Sequence, residues 1–220
     1  MNTVKQNLSE IESKIAPYTP NIIAVTKYFD ESKLVEAYDA GLRDFGESRI
    51  PECIRKIERL PEEVRKNSRF HLIGHLQSNK VKKAVGFFDY IHSVDSLKLA
   101  EEISETAIEK NMVQKILLQV NNAGEEQKFG FSKEEIFAEF GKILKLKGIK
   151  IVGLMNIAPF GLESEELKKL FLEICDIKER LKKDYDCDDM TELSMGMSCD
   201  YQEASAAGAT MLRIGRKLFS

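Results

Sequence analysis

No apolar run in the 220 residues approaches the ~20 that a membrane-spanning helix requires. The polar opening MNTVKQNLSEIESK has no signal-peptide core either. A cytoplasmic protein with no membrane contact is expected. Cysteine is scarce. Cys53, Cys175, Cys187 and Cys199 form no C-x-x-C pair, and no histidine stands at metal-ligand spacing from them. Reduced thiols are expected, with neither a disulfide framework nor a metal site. An excess of positive charge is also missing: Lys+Arg 33 against Asp+Glu 36 leaves a net −3. Non-specific nucleic-acid binding rests on neutralising phosphates, so no nucleic-acid partner is expected. No linker, composition break or low-complexity tract divides the chain, which predicts one domain over 1–220. What is present is an ordinary globular composition, hydrophobic 43% and charged 31%. A chain of this length buries a core without staples.

Periodicity supplies the architecture. Val4, Leu8, Ile11 and Ile15 are spaced for one helical face and predict a helix at about 3–16, stopped by Pro17 and Pro20. Eight short strand-like runs follow, at 21–28, 43–48, 69–75, 88–96, 115–121, 149–158, 190–197 and 210–219. Amphipathic stretches separate them. Asp30 reads as a helix cap, Ser132 with Glu135 as a capping box, and a basic helix is predicted from Ser78. A longer helix from Ser164 carries Leu167, Leu170, Phe171, Ile174 and Leu181 on one stripe. A mean spacing of about 27 residues fits repeated β/α units with parallel strands. Eight such units predict an α/β fold closed as a single-domain (β/α)8 TIM barrel. An open doubly wound sheet is the alternative.

In such a barrel, function sits at the C-terminal ends of the strands. The first run ends in Thr26-Lys27-Tyr28. A lysine there, with its stem against apolar walls, is expected to be desolvated and nucleophilic, as a Schiff-base lysine must be. The seventh run leads into Gly196-Met197-Ser198, and the eighth holds Arg213-Ile214-Gly215-Arg216. The loops after strands seven and eight are the usual phosphate site. Ser198 offers a hydroxyl, and Gly215 and Arg216 offer backbone amides. Asp200 and Glu203 open the helix after Ser198, whose first amides also attract phosphate. Barrel closure makes strand eight a neighbour of strand one, so Lys27 and these loops converge. A ligand with a phosphate at one end and a carbonyl at the other fits, as pyridoxal 5′-phosphate does. Arg213 is then placed to face its pyridine nitrogen; an internal ion pair, with Glu47 for example, is the alternative. His71 and His92 are expected to pack inside the barrel, and His75 near enough to the mouth to approach the cofactor. Asn79 to Lys83 reads as a solvated basic helix face, with an anion or partner surface as the other reading.

The motifs IAVTK (23–27), DAGLRDFGES (39–48), FHLIGHLQSNK (70–80), HSVDS (92–96), GLM (153–155), LSMGMS (193–198) and GATMLRIGRKLF (208–219) span most of the chain. In this order and spacing the sequence resembles the pyridoxal phosphate homeostasis protein family, relatives of the N-terminal barrel of bacterial alanine racemase. The resemblance implies a barrel of the alanine racemase N-terminal type with the cofactor held as a Schiff base on Lys27. It places the phosphate on Ser198 in its Met197-containing loop and on backbone at Gly215 and Arg216, with Arg213 at the ring nitrogen. It implies a role in intracellular cofactor homeostasis, with pyridoxal-phosphate-dependent apoenzymes as possible recipients and a monomeric state. Three positions depart from the family pattern. Ser48 stands where asparagine is usual, His75 where proline is frequent, and Arg216 where serine or threonine is common. Racemases of this kind use a tyrosine from a second domain, for which 220 residues leave no room. A binder without established turnover is therefore expected. The alternatives are a low-activity racemase or lyase, a cofactor-free Schiff-base aldolase, and a protein-binding module acting through Lys80–Lys83.

Overall fold

The computed structural model describes residues 3–125 and 127–220. Helix α1, Val4–Ile15, opens with a capping box: the Thr3 hydroxyl accepts from the Gln6 amide, and the Gln6 side chain accepts from the Thr3 amide. The barrel then alternates strand and helix. Its first half is β1 (Asn21–Val25), α2 (Glu31–Asp39), β2 (Asp44–Glu47), α3 (Glu52–Glu58), α4 (Glu62–Lys66), β3 (Arg69–Leu72), α5 (Val81–Ala84) and β4 (Tyr90–Val94). The second half is α6 (Leu97–Glu109), β5 (Gln114–Val120), α7 (Lys133–Ile143), β6 (Ile149–Asn156), α8 (Ser164–Tyr185), β7 (Glu192–Ser194), α9 (Tyr201–Ala207), β8 (Met211–Ile214) and α10 (Arg216–Phe219). Asp30 caps α2 and the Ser132–Glu135 box caps α7, as the sequence predicts. Among the described residues no helix is long and apolar enough to cross a membrane.

All eight strands pair in parallel and in chain order, and β8 closes on β1 with Ile23 opposite Arg213 and Ala24 opposite Ile214. The closed barrel replaces the open-sheet alternative. Alternation along each strand sorts side chains to two sides. Ile22, Ala24, Phe45, Phe70, Leu72, Ile91, Leu212 and Ile214 join the apolar layer that packs against the helices. Their neighbours Ile23, His71, His92 and Arg213 turn the other way, into the barrel.

Several elements are shorter than their apolar runs. The run at 210–219 is a strand only to Ile214; Gly215 turns the chain and α10 follows. Leu218 and Phe219 are apolar because α10 packs down, with Phe219 against Phe29 at 4.5 Å between ring centroids. The Asn7 amide on α1 ties this end by donating to Leu218 O (3.0 Å) and Ser220 O (2.8 Å). The basic helix expected from Ser78 is a 3-10 turn over Ser78–Lys80 and then the single turn α5. Extended backbone at Val85 and a positive φ at Gly86 end it.

Candidate functional site

The register of β1 against β8 fixes what lies at the mouth. With Ile23 beside Arg213, the turn carrying Lys27 stands next to the Gly215–Lys217 turn. Gly215 lies over Val25; a methyl group on it would make ordinary van der Waals contact with Val25 Cβ and O at 3.5 Å and with Val25 Cγ1 at 3.8 Å. The Ser198 hydroxyl accepts from the Lys217 amide at 3.4 Å, which joins the loops after β7 and β8. Gly196 shapes the first of these loops with a φ of +88°, and a methyl there would strike Ala204 Cβ and Leu212 Cδ2. The Met197 amide donates to Asp200 Oδ1 at 2.5 Å. Asp200 therefore braces this loop instead of capping α9 with its side chain. Burial raises its carboxyl pKa, with the Met197 amide and Arg213 pulling it back. Arg216 is exposed at the first position of α10 and has no ion-pair partner among the described residues.

Arg213 is buried. Its Nη1 donates to Ser194 O (2.6 Å) and Ser194 Oγ (2.8 Å), and its Nη2 to Asn156 O (2.7 Å). Burial pushes its pKa down to about 10, with Asp200 pulling back, so it stays charged at neutral pH. The expected alternative, an ion pair with Glu47, is overturned. Glu47 turns outward, paired with Lys56 of α3 and accepting from the Thr26 hydroxyl at 2.5 Å. A guanidinium has five N–H donors, and three bonds are recorded here. The remaining donors suit a ligand acceptor. Beside them, Asn156 Oδ1 is buried and has no hydrogen-bond partner among the described residues. A lightly engaged Ser198 hydroxyl, spare Arg213 donors and an unpaired acceptor together fit a small polar ligand such as pyridoxal phosphate.

Lys27 corrects one expectation. It is exposed, in the turn just past β1, with Nζ 5.1 Å from the Tyr28 ring centre. No apolar wall encloses its stem, so burial does not supply the expected activation. The turn is held from below. Lys56 Nζ donates to Thr26 O (2.7 Å) and Phe29 O (3.1 Å), and the Phe29 amide returns to Thr26 O. This brace is not legible in the sequence, because Lys56 reads as one more polar residue on α3.

Ser48 and His75 follow β2 and β3, the next strands round the barrel from β1. His75 is exposed, stacked on Phe129 at 3.6 Å between centroids, and bonded through Nδ1 to Asp95 at 3.1 Å. With Ser48, Arg49 and Lys80 it lines a recess of about 300 Å³. Lys27 is not among the residues that line this recess.

His71 and His92 are in the barrel, as expected, and they are linked. His71 Nε2 meets Asp44 Oδ1 (2.8 Å), His71 Nδ1 meets His92 Nε2 (2.9 Å), and His92 Nδ1 meets Ser194 Oγ (2.9 Å). Burial drives the His92 pKa well below its ordinary value, and the Arg213 charge adds to that. Burial alone would raise the Asp44 carboxyl, but hydrogen bonds from His71 and Arg69 overcome it and hold it well below the usual range. Among the described residues no cluster of three or more His, Cys, Asp or Glu is arranged to hold a metal ion.

A closed parallel barrel of eight strands with surrounding helices is a (β/α)8 barrel of the alanine racemase N-terminal type, and the family model of that domain matches residues 1–220. The chain belongs to the pyridoxal phosphate homeostasis protein family. It is 43% identical over 211 residues to the pyridoxal phosphate homeostasis protein of Synechocystis sp., covering 96% of this chain and 95% of that one. The Homo sapiens protein of that name is 34% identical, covering 98% and 82%. Among solved structures, PipY of Synechococcus elongatus with PLP bound is similar with a TM-score of 0.88 at 39% identity, covering 99% of this chain and all of that one. An alanine racemase of Clostridium difficile shares the fold, with a TM-score of 0.76 at 16% identity over 56% of its length.

Proposed function

We infer that this protein binds pyridoxal 5′-phosphate at the β1–β7–β8 end of the barrel and serves intracellular cofactor homeostasis. Lys27 supplies the covalent anchor. Its amine nitrogen forms a C=N bond with the cofactor's aldehyde carbon, and the carbonyl oxygen leaves as water. Ser198 and the backbone at Met197, Gly215 and Arg216 hold the phosphate. The Arg216 guanidinium adds charge where relatives commonly place a hydroxyl. Ser48 and His75 belong to the neighbouring recess and are at most an outer edge of this site.

The observation that carries the reading is the β1–β8 register, which sets the Lys27 turn beside Gly215 and leaves Arg213 with donors to spare. PLP bound to the similar PipY structure supports it. When bound, the cofactor supplies an electron-withdrawing ring conjugated to the lysine-derived bond. Arg213 can only donate hydrogen bonds, so a ring nitrogen facing it accepts and stays unprotonated. Such a ring withdraws fewer electrons than a protonated one, which suits a holder of the cofactor better than a racemase. Pyridoxal-phosphate-dependent apoenzymes are the recipients this role implies.

Titration of the purified protein with pyridoxal phosphate, followed by visible absorption, tests the reading. Wild type should develop an imine band at one equivalent, and Lys27→Ala should not. An equal band in both proteins would move the anchor to another lysine.

A further inference from the structure

The polar string inside the barrel has an order of protons that its geometry dictates. Five side chains from β2, β3, β4, β7 and β8 form it: Asp44, His71, His92, Ser194 and Arg213, at successive separations of 2.8, 2.9, 2.9 and 2.8 Å. At one end Arg213 has no acceptor atom, so Ser194 Oγ accepts from it. The Ser194 hydroxyl proton then needs an acceptor of its own, and His92 Nδ1 is the one in reach. With Nδ1 accepting, His92 carries its proton on Nε2 and donates to His71 Nδ1. His71 in turn carries its single proton on Nε2 and donates to the Asp44 carboxylate. Every imidazole nitrogen in the string and the Ser194 hydroxyl are then satisfied. In the reverse order, His92 would donate to Ser194, and the Ser194 proton would have no acceptor among the described residues. Ser194 is fully buried, so such an orphan is costly.

The string is also held from outside. Arg69 clamps Asp44 with two bonds, Nε at 2.7 Å and Nη2 at 2.5 Å, and its side chain reaches solvent. Tyr90 stacks on His71 at 4.7 Å with the rings 2° from parallel, and Lys115 lies 5.1 Å from the Tyr90 ring centre. The His71 ring is thus fixed in the plane its two bonds require. Asp200 offsets part of the cost of burying Arg213.

We propose that Asp44, His71, His92 and Ser194 are a proton-ordered set of positioning residues that fixes the Arg213 guanidinium, and so sets where the cofactor's ring nitrogen can sit. The role of Arg213 rests on the function proposed above; the order of protons does not. The string turns Ser194 into an acceptor toward Arg213 and steers its proton away from the ligand. Both of the histidines then act as neutral, directional spacers.

The chain has three histidines, which makes the direct test tractable. Long-range proton–nitrogen NMR on cofactor-free protein labelled at histidine nitrogen, at pH 7, reads the tautomers, with His75→Asn to assign the third ring. Both barrel imidazoles should carry their proton on Nε2. An Nδ1-protonated ring or an imidazolium at either position overturns the proposal. A second arm reads pyridoxal phosphate affinity. Gln at position 92 spaces a donor and an acceptor much as imidazole does, whereas Leu fills the volume with neither. His92→Gln should keep affinity within about twofold, and His92→Leu should weaken it about tenfold, the scale of one lost hydrogen bond. Leu binding as well as Gln would reduce the string to packing and overturn the role. Should His92→Leu not fold, Ser194→Ala keeps its main-chain bond to Arg213 and cuts only the string; unchanged affinity there is equally contrary. If wild type binds no pyridoxal phosphate, the function proposed above fails, while the tautomers of the cofactor-free protein still decide the proton order.

Discussion

Two halves of the candidate site are built differently. The Arg213 half is buried, with each recorded bond at 2.6–2.8 Å to the ends of β6 and β7. The Lys27 half is a turn in solvent, its amine over an exposed tyrosine ring and its shape set by Lys56 from beneath. A hydrogen-bond donor must be in place before the ligand arrives, because its worth is lost if it has to reorganise. A nucleophile that forms a covalent bond needs reach more than fixity. The contrast implies that substitutions in the buried half cost stability and binding together, and that those in the exposed half cost binding alone.

The largest effect on folding is expected at the brace beneath the Lys27 turn. Lys56→Met strands the buried Glu47 carboxylate and frees two carbonyls, which should destabilise by about 3–5 kcal/mol. Urea unfolding with an unchanged m-value measures it. Adding Glu47→Leu should recover part of the loss, since two apolar partners strand no charge. A double variant worse than the single would show that Glu47 acts elsewhere. Arg213→Met comes next. It leaves Ser194 O and Asn156 O without their donor, for about 2–3 kcal/mol by the same assay, and pyridoxal phosphate affinity should fall with it. Retained stability with lost affinity would break the distinction between the halves.

Acid stability gives a gentler test. The Asp44 carboxyl is depressed in the folded protein relative to about 3.9 in the unfolded chain. A depressed acid contributes its full stability above the unfolded pKa and loses it as pH falls toward the folded one. Unfolding free energy should therefore drop below about pH 4, and Asp44→Asn should flatten that limb. An unaltered acid limb would remove Asp44 from the account. The smallest folding effect belongs to Ser198→Ala. Its single long bond, to the Lys217 amide, leaves stability nearly unchanged, while pyridoxal phosphate binding should weaken by about 1–2 kcal/mol. Calorimetry reads the affinity, and no change would place the phosphate elsewhere.

The sequence located the eight strands and their order well because parallel strands buried on both faces leave dense apolar runs. Barrel closure made the neighbourhood of the turns after β1 and β8, with Lys27 and Gly215, legible, and the β1–β8 pairing shows it. Strand lengths were not legible, because apolar character continues into turns that pack on the core, as Leu218 and Phe219 do in α10. Alternation placed His71 and His92 inside the barrel but could not give their partners. His92 meets a serine 102 positions away, from a strand that is not its neighbour in the sheet. The exposure of Lys27 was missed for a related reason. A strand-end rule says which residue leaves the sheet, whereas the turn after it, here tied through Thr26 and Phe29, decides which way the side chain goes.

The covalent anchor is the central claim, and borohydride reduction followed by peptide mass analysis addresses it most directly. Protein saturated with pyridoxal phosphate, reduced and digested, should carry one pyridoxyl group, on the peptide containing Lys27. The Lys27→Ala protein should carry none while melting at the wild-type temperature, since an exposed side chain contributes little to the fold. A pyridoxyl group on any other lysine of the wild type, or no adduct after saturation, would contradict the account.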